Sequence, residues 1–99
     1  MNCLTVTYPA PSDPGRFKSY YEGVHLPLAR QLPGLKSLTF AYPAQLGPAG
    51  APYCIFQGFF ADEAAMIAAL QSEIGAKVAA DVPNYSPAGA TLFHFQVQG

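Results

Sequence analysis

Residues Phe17 to Leu35 read FKSYYEGVHLPLARQLPGL, and the punctuation of this stretch decides the fold. Phe17, Tyr21, Val24 and Leu28 recur at spacings of four, three and four, which places them on one stripe of an amphipathic helix. Pro27 has no amide hydrogen and its ring clashes with the Gly23 carbonyl, so the helix must kink or break near His25. Pro33 and Gly34 end the segment. The kink places an imidazole, which titrates near neutral pH, among loosened backbone groups. The freed Gly23 carbonyl is the expected partner of one ring nitrogen, which leaves the other nitrogen for chemistry.

Outward from this helix, the other elements follow by pattern. Cys3 to Tyr8, rich in Thr and Val, reads as a strand. Pro9 to Gly15 is a turn in which Ser12 or Asp13 caps the helix that runs to about Arg30. Leu35–Tyr42 and Tyr53–Phe60 are strands joined by the Pro/Gly/Ala loop 43–52, expected to be a mobile surface segment beside a dimer contact. Asp62 caps a helix whose apolar stripe is Met66, Ile67, Leu70, Ile74 and Val78, with Gly75 forcing a bend or two short helices. Pro83 closes it, and Thr91–Val97 is the last strand. The order β-α-β-β-α-β over a single domain, residues 1–99, is the ferredoxin-like α+β arrangement: a four-stranded antiparallel sheet with both helices on one face.

Charge is distributed unevenly along these elements. No Asp, Glu, Lys or Arg occurs between Ser37 and Ala61 or between Val82 and Gly99, so three of the four strands are charge-free. A sheet with one wet face would alternate apolar residues with charged or strongly polar ones. Here 51% of the chain is hydrophobic and 11% charged, against about 25% charged in ordinary soluble domains. A second copy covering the sheet resolves the mismatch, so a homodimer is expected. Gln57, His94 and Gln96 are assigned to the face away from the helices, in a semi-polar space between two sheets.

Composition also excludes partner classes. A net charge of −1 gives no footprint for nucleic acid and no polybasic membrane signal. No signal-peptide pattern opens the chain and no apolar run reaches transmembrane length. Cys3 and Cys54 have no metal or redox spacing and read as buried, reduced thiols of a cytoplasmic protein. Two histidines without clustered carboxylates or thiolates do not form a zinc site, and no glycine-rich loop leads from a strand into a helix to hold a nucleotide phosphate. No cofactor is expected, although a haem would need only one axial histidine.

His25 is the first candidate for chemistry: a general acid or base, or a donor to a substrate carbonyl. The competing reading is a helix histidine packed on Tyr21 and bonded to a kink carbonyl. Tyr20, Gln57, Asn84 and His94 are candidates for orienting a ligand. Each has an ordinary structural alternative: packing for Tyr20, turn geometry for Asn84, a satisfied half-buried strand position for His94.

The pattern FxxYYxxxHxPLAxxLPGL resembles the N-terminal signature of the EthD family, named for ethyl tert-butyl ether degradation, and Asp81–Tyr85 (DVPNY) is a second, weaker match before the last strand. The resemblance implies a dimeric α/β barrel, a helix-end histidine at His25 as a functional residue, and a loop at Asn84–Tyr85 near the cavity mouth. Related small barrels include isomerases, polyketide cyclases and haem-dependent or cofactor-free monooxygenases. The expected function is therefore a cofactor-independent isomerase, cyclase, dehydratase or oxygenase acting on an apolar carbonyl or aromatic compound. The alternative is a binding or accessory protein that carries such a compound without turnover.

Overall fold

The computed structural model describes all residues from Met1 to Gly99. Strand β1 (Asn2–Tyr8) leads to helix α1 (Pro14–Tyr20), a π-helical turn (Tyr21–His25) and a short helix α2 (Leu26–Ala29). Strands β2 (Ser37–Ala41) and β3 (Cys54–Phe60) follow, then helices α3 (Glu63–Leu70) and α4 (Glu73–Asp81), a 3₁₀ turn (Val82–Asn84) and strand β4 (Thr91–Gln96). The sheet is antiparallel in the order β2-β3-β1-β4. This is the ferredoxin-like α+β fold expected from the element order, with strand ends at most two residues from the expected ones.

Asp13 caps α1, its Oδ1 accepting from the Arg16 amide at 3.1 Å, and Pro14 occupies the first turn, where a missing amide hydrogen costs nothing. The break expected near His25 takes the form of a π-turn: the Leu26 amide donates to the Tyr21 carbonyl, five residues back. One extra residue in the turn rotates everything after it by about 100° relative to an α-helix. The stripe expected at Phe17, Tyr21, Val24 and Leu28 therefore becomes Phe17, Tyr21, His25 and Ala29. All four are buried, while Val24 is 48% exposed. The segment ends in a turn closed by the Leu35 amide on the Leu32 carbonyl, with Gly34 at φ +78°, a backbone conformation that glycine adopts without strain.

The second helical region divides into two, as the sequence suggests, but at Gln71–Ser72. Ser72 caps α4 by accepting from the Gly75 amide at 3.0 Å, and its hydroxyl donates to the Ala69 carbonyl. The expected apolar stripe survives this break only in part. Met66 and Ala69 are buried and Ile74 and Val78 pack partly against the core, whereas Ile67 and Leu70, at the edge of the buried face of α3, are 41% and 38% exposed.

Register sorts the side chains onto two faces. Asn2, Leu4, Val6 and Tyr8 of β1 lie beside Phe60, Gly58, Phe56 and Cys54 of β3, under the helices. Leu4 also pairs with His94, and Asn2 with Gln96, so His94 and Gln96 share this face. That corrects the expected parity of β4. The face away from the helices carries Phe93 and Phe95 from β4, Ile55, Gln57 and Phe59 from β3, and Cys3, Thr5 and Thr7 from β1. It is thus more apolar than anticipated, and no element covers it: the molecule is a slab 18 Å across its shortest axis. Cys3 and Cys54 are both free and buried, on opposite faces of the sheet, so an intrachain disulfide is geometrically excluded.

Gly75 sits where α4 crosses the end of α3, and a Cβ there would press on the carbonyl oxygens of Ala69 and Leu70. Backbone oxygens cannot swing away as a side chain can. Gly75→Ala gains about 1 kcal/mol in helix propensity, but overpacking costs about 1–3 kcal/mol and here falls at the upper end. Urea titration is expected to show a lowered unfolding midpoint.

Candidate functional site

The π-turn aims His25 at the C-terminal end of α4, where Asp81 is the last residue of the helix. His25 Nδ1 lies 2.9 Å from Asp81 Oδ2. The other carboxylate oxygen, Oδ1, accepts from the Tyr20 hydroxyl at 2.6 Å and from the Asn84 amide at 2.9 Å. Three donors from three different elements thus converge on one carboxylate. The imidazole is 3% exposed, stacked on Tyr21 with ring centres 5.6 Å apart and packed against Tyr85 at 4.6 Å. Tyr85 is itself fixed by a 2.7 Å bond between its hydroxyl and that of Tyr8.

The electrostatics determine the protonation states. Burial pushes the His25 pKa below its ordinary value, and the hydrogen bond and charge of Asp81 only partly offset this. Burial works to raise the Asp81 carboxyl, but hydrogen bonds from Tyr20, Asn84 and His25 outweigh it and hold the pKa below the usual carboxylate range. At neutral pH the pair is a neutral imidazole beside a carboxylate. Because a carboxylate only accepts, Nδ1 carries the hydrogen and Nε2 the lone pair. Nε2 has no hydrogen-bond partner in the protein and is not sealed from solvent. The expected Gly23 partner is therefore replaced by a stronger, charged one.

A cavity of about 460 Å³ adjoins this cluster, between the loop before α1 and the loop after α4. Tyr20, Asn84 and Tyr85 form one wall, and Phe17, Arg16, Ser12 and Ser86 contribute elsewhere; prolines 9, 11, 83 and 87 frame it. The imidazole stands behind the wall and is not among the lining residues.

Of the residues singled out in the sequence, His25, Tyr20 and Asn84 come together on Asp81. Gln57 and His94 do not. Gln57 lies on the uncovered sheet face, 3.5 Å from the Thr39 hydroxyl. His94 lies at the margin of the helix-covered face, 3.6 Å from Glu63 and 3.4 Å from Asn2. Asp81 itself was not singled out, although it opens the DVPNY run and offered the signal of an anion at a helix end before a proline turn. No group of three or more His, Cys, Asp and Glu side chains is placed to hold a metal. Haem fits His25 poorly, since an axial ligand needs an open slot for the macrocycle at its ring nitrogen and this ring is packed against two tyrosines. One polar atom is left alone: the Tyr21 hydroxyl is buried without a hydrogen-bond partner.

The fold and the buried His–Asp pair define a small ferredoxin-like α+β protein built around one imidazole. The chain belongs to the EthD family, whose domain model matches residues 10–87. It is 32% identical over 90 residues to an uncharacterized 11.0 kDa protein of Rhodococcus erythropolis from the thcB-thcC intergenic region, covering 90% of this chain and 87% of that one. Among solved structures, an ethyl tert-butyl ether degradation family protein of Bacillus halodurans superposes with a TM-score of 0.88 at 22% identity over 99% of both chains. A dimeric ferredoxin-like protein of unknown function from Thermobifida fusca gives 0.72 at 14% identity, over 97% of this chain and 90% of that one.

The lowered pKa values have a consequence for stability. The unfolded chain binds a proton at His25 near pH 6.5, and the folded chain only at lower pH. Stability attached to this site is therefore complete above pH 6.5 and is lost as pH falls through the folded value. Asp81 adds a second loss as pH drops below its ordinary value of 3.8. Thermal melts are expected to show the melting temperature declining from pH 6.5 downward, with a smaller decline over pH 6.5–5 in His25→Gln.

Proposed function

We propose that the protein is a small-molecule enzyme that moves a proton at His25 Nε2, on an apolar carbonyl or aromatic compound and without a cofactor. The observation that carries this reading is the His25–Asp81 pair: a buried neutral imidazole held at 2.9 Å by a carboxylate whose other oxygen is already satisfied by Tyr20 and Asn84. Such an arrangement prepares a base. Nδ1–H is committed to Asp81, so the ring cannot flip or change tautomer, and the lone pair stays on Nε2. When Nε2 takes a proton from carbon or oxygen, the imidazolium forms beside an anion already in place, with no reorganisation. The same proton can be returned to a different atom, which is the chemistry of an isomerase, cyclase or dehydratase; an oxygenase would use it to form a substrate carbanion. The neighbouring cavity, about 460 Å³ with three aromatic side chains in its lining, is of the size of a small-molecule site.

The working unit in this proposal is a cytoplasmic homodimer that buries the uncovered sheet face, on which Phe93 is 47% and Phe95 40% exposed. The dimeric Thermobifida fusca protein of the same fold supports that reading, as does the absence of charge from these strands. No helix is long and apolar enough to cross a membrane. Sedimentation at micromolar concentration is expected to give a dimer, and an interface of this kind buries at least about 1,000 Å². Phe93→Asp together with Phe95→Asp should shift the protein to monomer.

A second reading is a carrier that binds the same compounds without turnover. It is favoured by the position of the imidazole behind, and not in, the cavity wall. Native mass spectrometry of the purified protein identifies a retained ligand, and incubation with that ligand separates the readings: a carrier returns it unchanged. If His25 is the base, His25→Gln lowers kcat/KM by about 10²–10⁴-fold. Asp81→Asn lowers the rate too, and it also moves the acidic limb of the pH–rate profile to lower pH, because the charge and hydrogen bond that raise the imidazole pKa are gone. Full activity in His25→Gln would exclude proton work at this residue.

A further inference from the structure

Arg16 is a free cation in the wall of the cavity. Its side chain takes part in none of the molecule's ion pairs, which are His25–Asp81, Lys77–Glu73 and His94–Glu63. It makes no side-chain hydrogen bond either; only its backbone amide is engaged, by Asp13. Asp13 is the only other charged residue of the lining, and its Oδ1 is occupied by that capping bond. The remaining lining is neutral: prolines, alanines, three aromatic rings, two serines and Asn84.

Arg16 and Tyr20 stand one turn apart on α1, four residues from each other, so they share a helix face. They bring groups of opposite charge to neighbouring parts of the lining: Arg16 itself, with Asp13 one turn before it, and, behind Tyr20, the Asp81 carboxylate. That carboxylate is held ionised and already supplied with donors. An anionic group is repelled from it and attracted to the guanidinium. A neutral carbonyl or ring edge suffers no such repulsion beside Asn84 and Tyr20. The field therefore sorts a ligand by its polarity as well as by its shape.

We propose that the cavity takes a one- or two-ring aromatic or alicyclic carboxylic acid, with the carboxylate on Arg16 and the uncharged, reactive end against the Tyr20–Asn84–Tyr85 wall. This rests on the small-molecule site described above and names its substrate class. The planar guanidinium can hold a carboxylate through two parallel N–H···O bonds, a geometry that a neutral amide or ester cannot match. The framing prolines and the stacked Tyr20–Tyr85 pair, with ring centres 5.9 Å apart, suit a flat apolar body.

The test compares two probes of equal shape, 1-naphthoate and 1-naphthamide, titrated into the full chain by isothermal calorimetry and followed by amide chemical shifts. Naphthoate is expected to bind at least about tenfold more tightly than naphthamide, to weaken with added salt, and to shift the amides of Tyr20, Asn84 and Ser86. Arg16→Gln should abolish the discrimination, and Arg16→Lys should keep part of it because the charge remains without the fork. Circular dichroism melts of both variants check that α1 is intact. Equal affinity for the two probes, discrimination that persists in Arg16→Gln, or no binding of either at millimolar concentration would overturn the proposal. The measurement needs no turnover. Binding alone reads carboxylate recognition, and the rate of His25→Gln reads proton chemistry, so the two failures are distinguished.

Discussion

The π-turn at Tyr21–His25 adds one residue to a helix that is otherwise of α pitch, and the surroundings of the imidazole depend on that rotation. With regular α geometry, Val24 would face the core and His25 would lie at the flank of the buried stripe. With the insertion, His25 enters the aromatic cluster of Tyr21 and Tyr85 and meets Asp81. Pro27 is the local cause that can be named. It has no amide hydrogen to give to the Gly23 carbonyl, so the α-helical bond at that point is already absent, and widening the turn sacrifices less than it would elsewhere. Burial of a polar ring in such a place is tolerable because a carboxylate is waiting for its N–H.

Asp81 is the complementary half of that bargain with burial. It closes α4, stands beside the 3₁₀ turn that Pro83 initiates, and gathers donors from α1, the π-turn and the turn itself. Its hydrogen bonds join the first helical region to the second on the outer side of the sheet. The Tyr21 hydroxyl, by contrast, is sealed into the core with no partner. The Cys54 thiol and the Tyr8 hydroxyl are its polar neighbours there.

The element order, a cap at Ser12 or Asp13, the Asp62 cap, a bend or division of the second helix and the importance of the Phe17–Leu35 stretch were legible from residue patterns. What was not legible has specific physical causes. A helical wheel drawn at 100° per residue has no means to register a π insertion, so it assigned Val24 and Leu28 to the buried stripe. In β4 both faces are apolar or weakly polar and carry no charge, so alternation could not say which of Phe93 and His94 faces the helices; only pairing with Leu4 and Thr5 decides it. The His25–Asp81 contact joins residues far apart in the chain, and nothing local to either residue announces the other. The cavity likewise exists only once the loops before α1 and after α4 are side by side.

The strand order β2-β3-β1-β4 has a bearing on how the molecule is made. Strand β1 is a central one, and both of its neighbours are encoded much later: Tyr8 pairs with Cys54, and Asn2 with Gln96. Loop closure across most of the chain must precede those contacts, so the sheet is a high-contact-order structure that assembles slowly for its size. β1 is therefore synthesised with its Leu4, Val6 and Tyr8 face unpaired, and it waits for β3 before it has any hydrogen-bonded neighbour. During that interval it is a ready template for other chains. The helical segment that carries His25 is made in the same interval, but the surroundings of the imidazole are completed only when Asp81 and Tyr85, both late in the chain, arrive beside it.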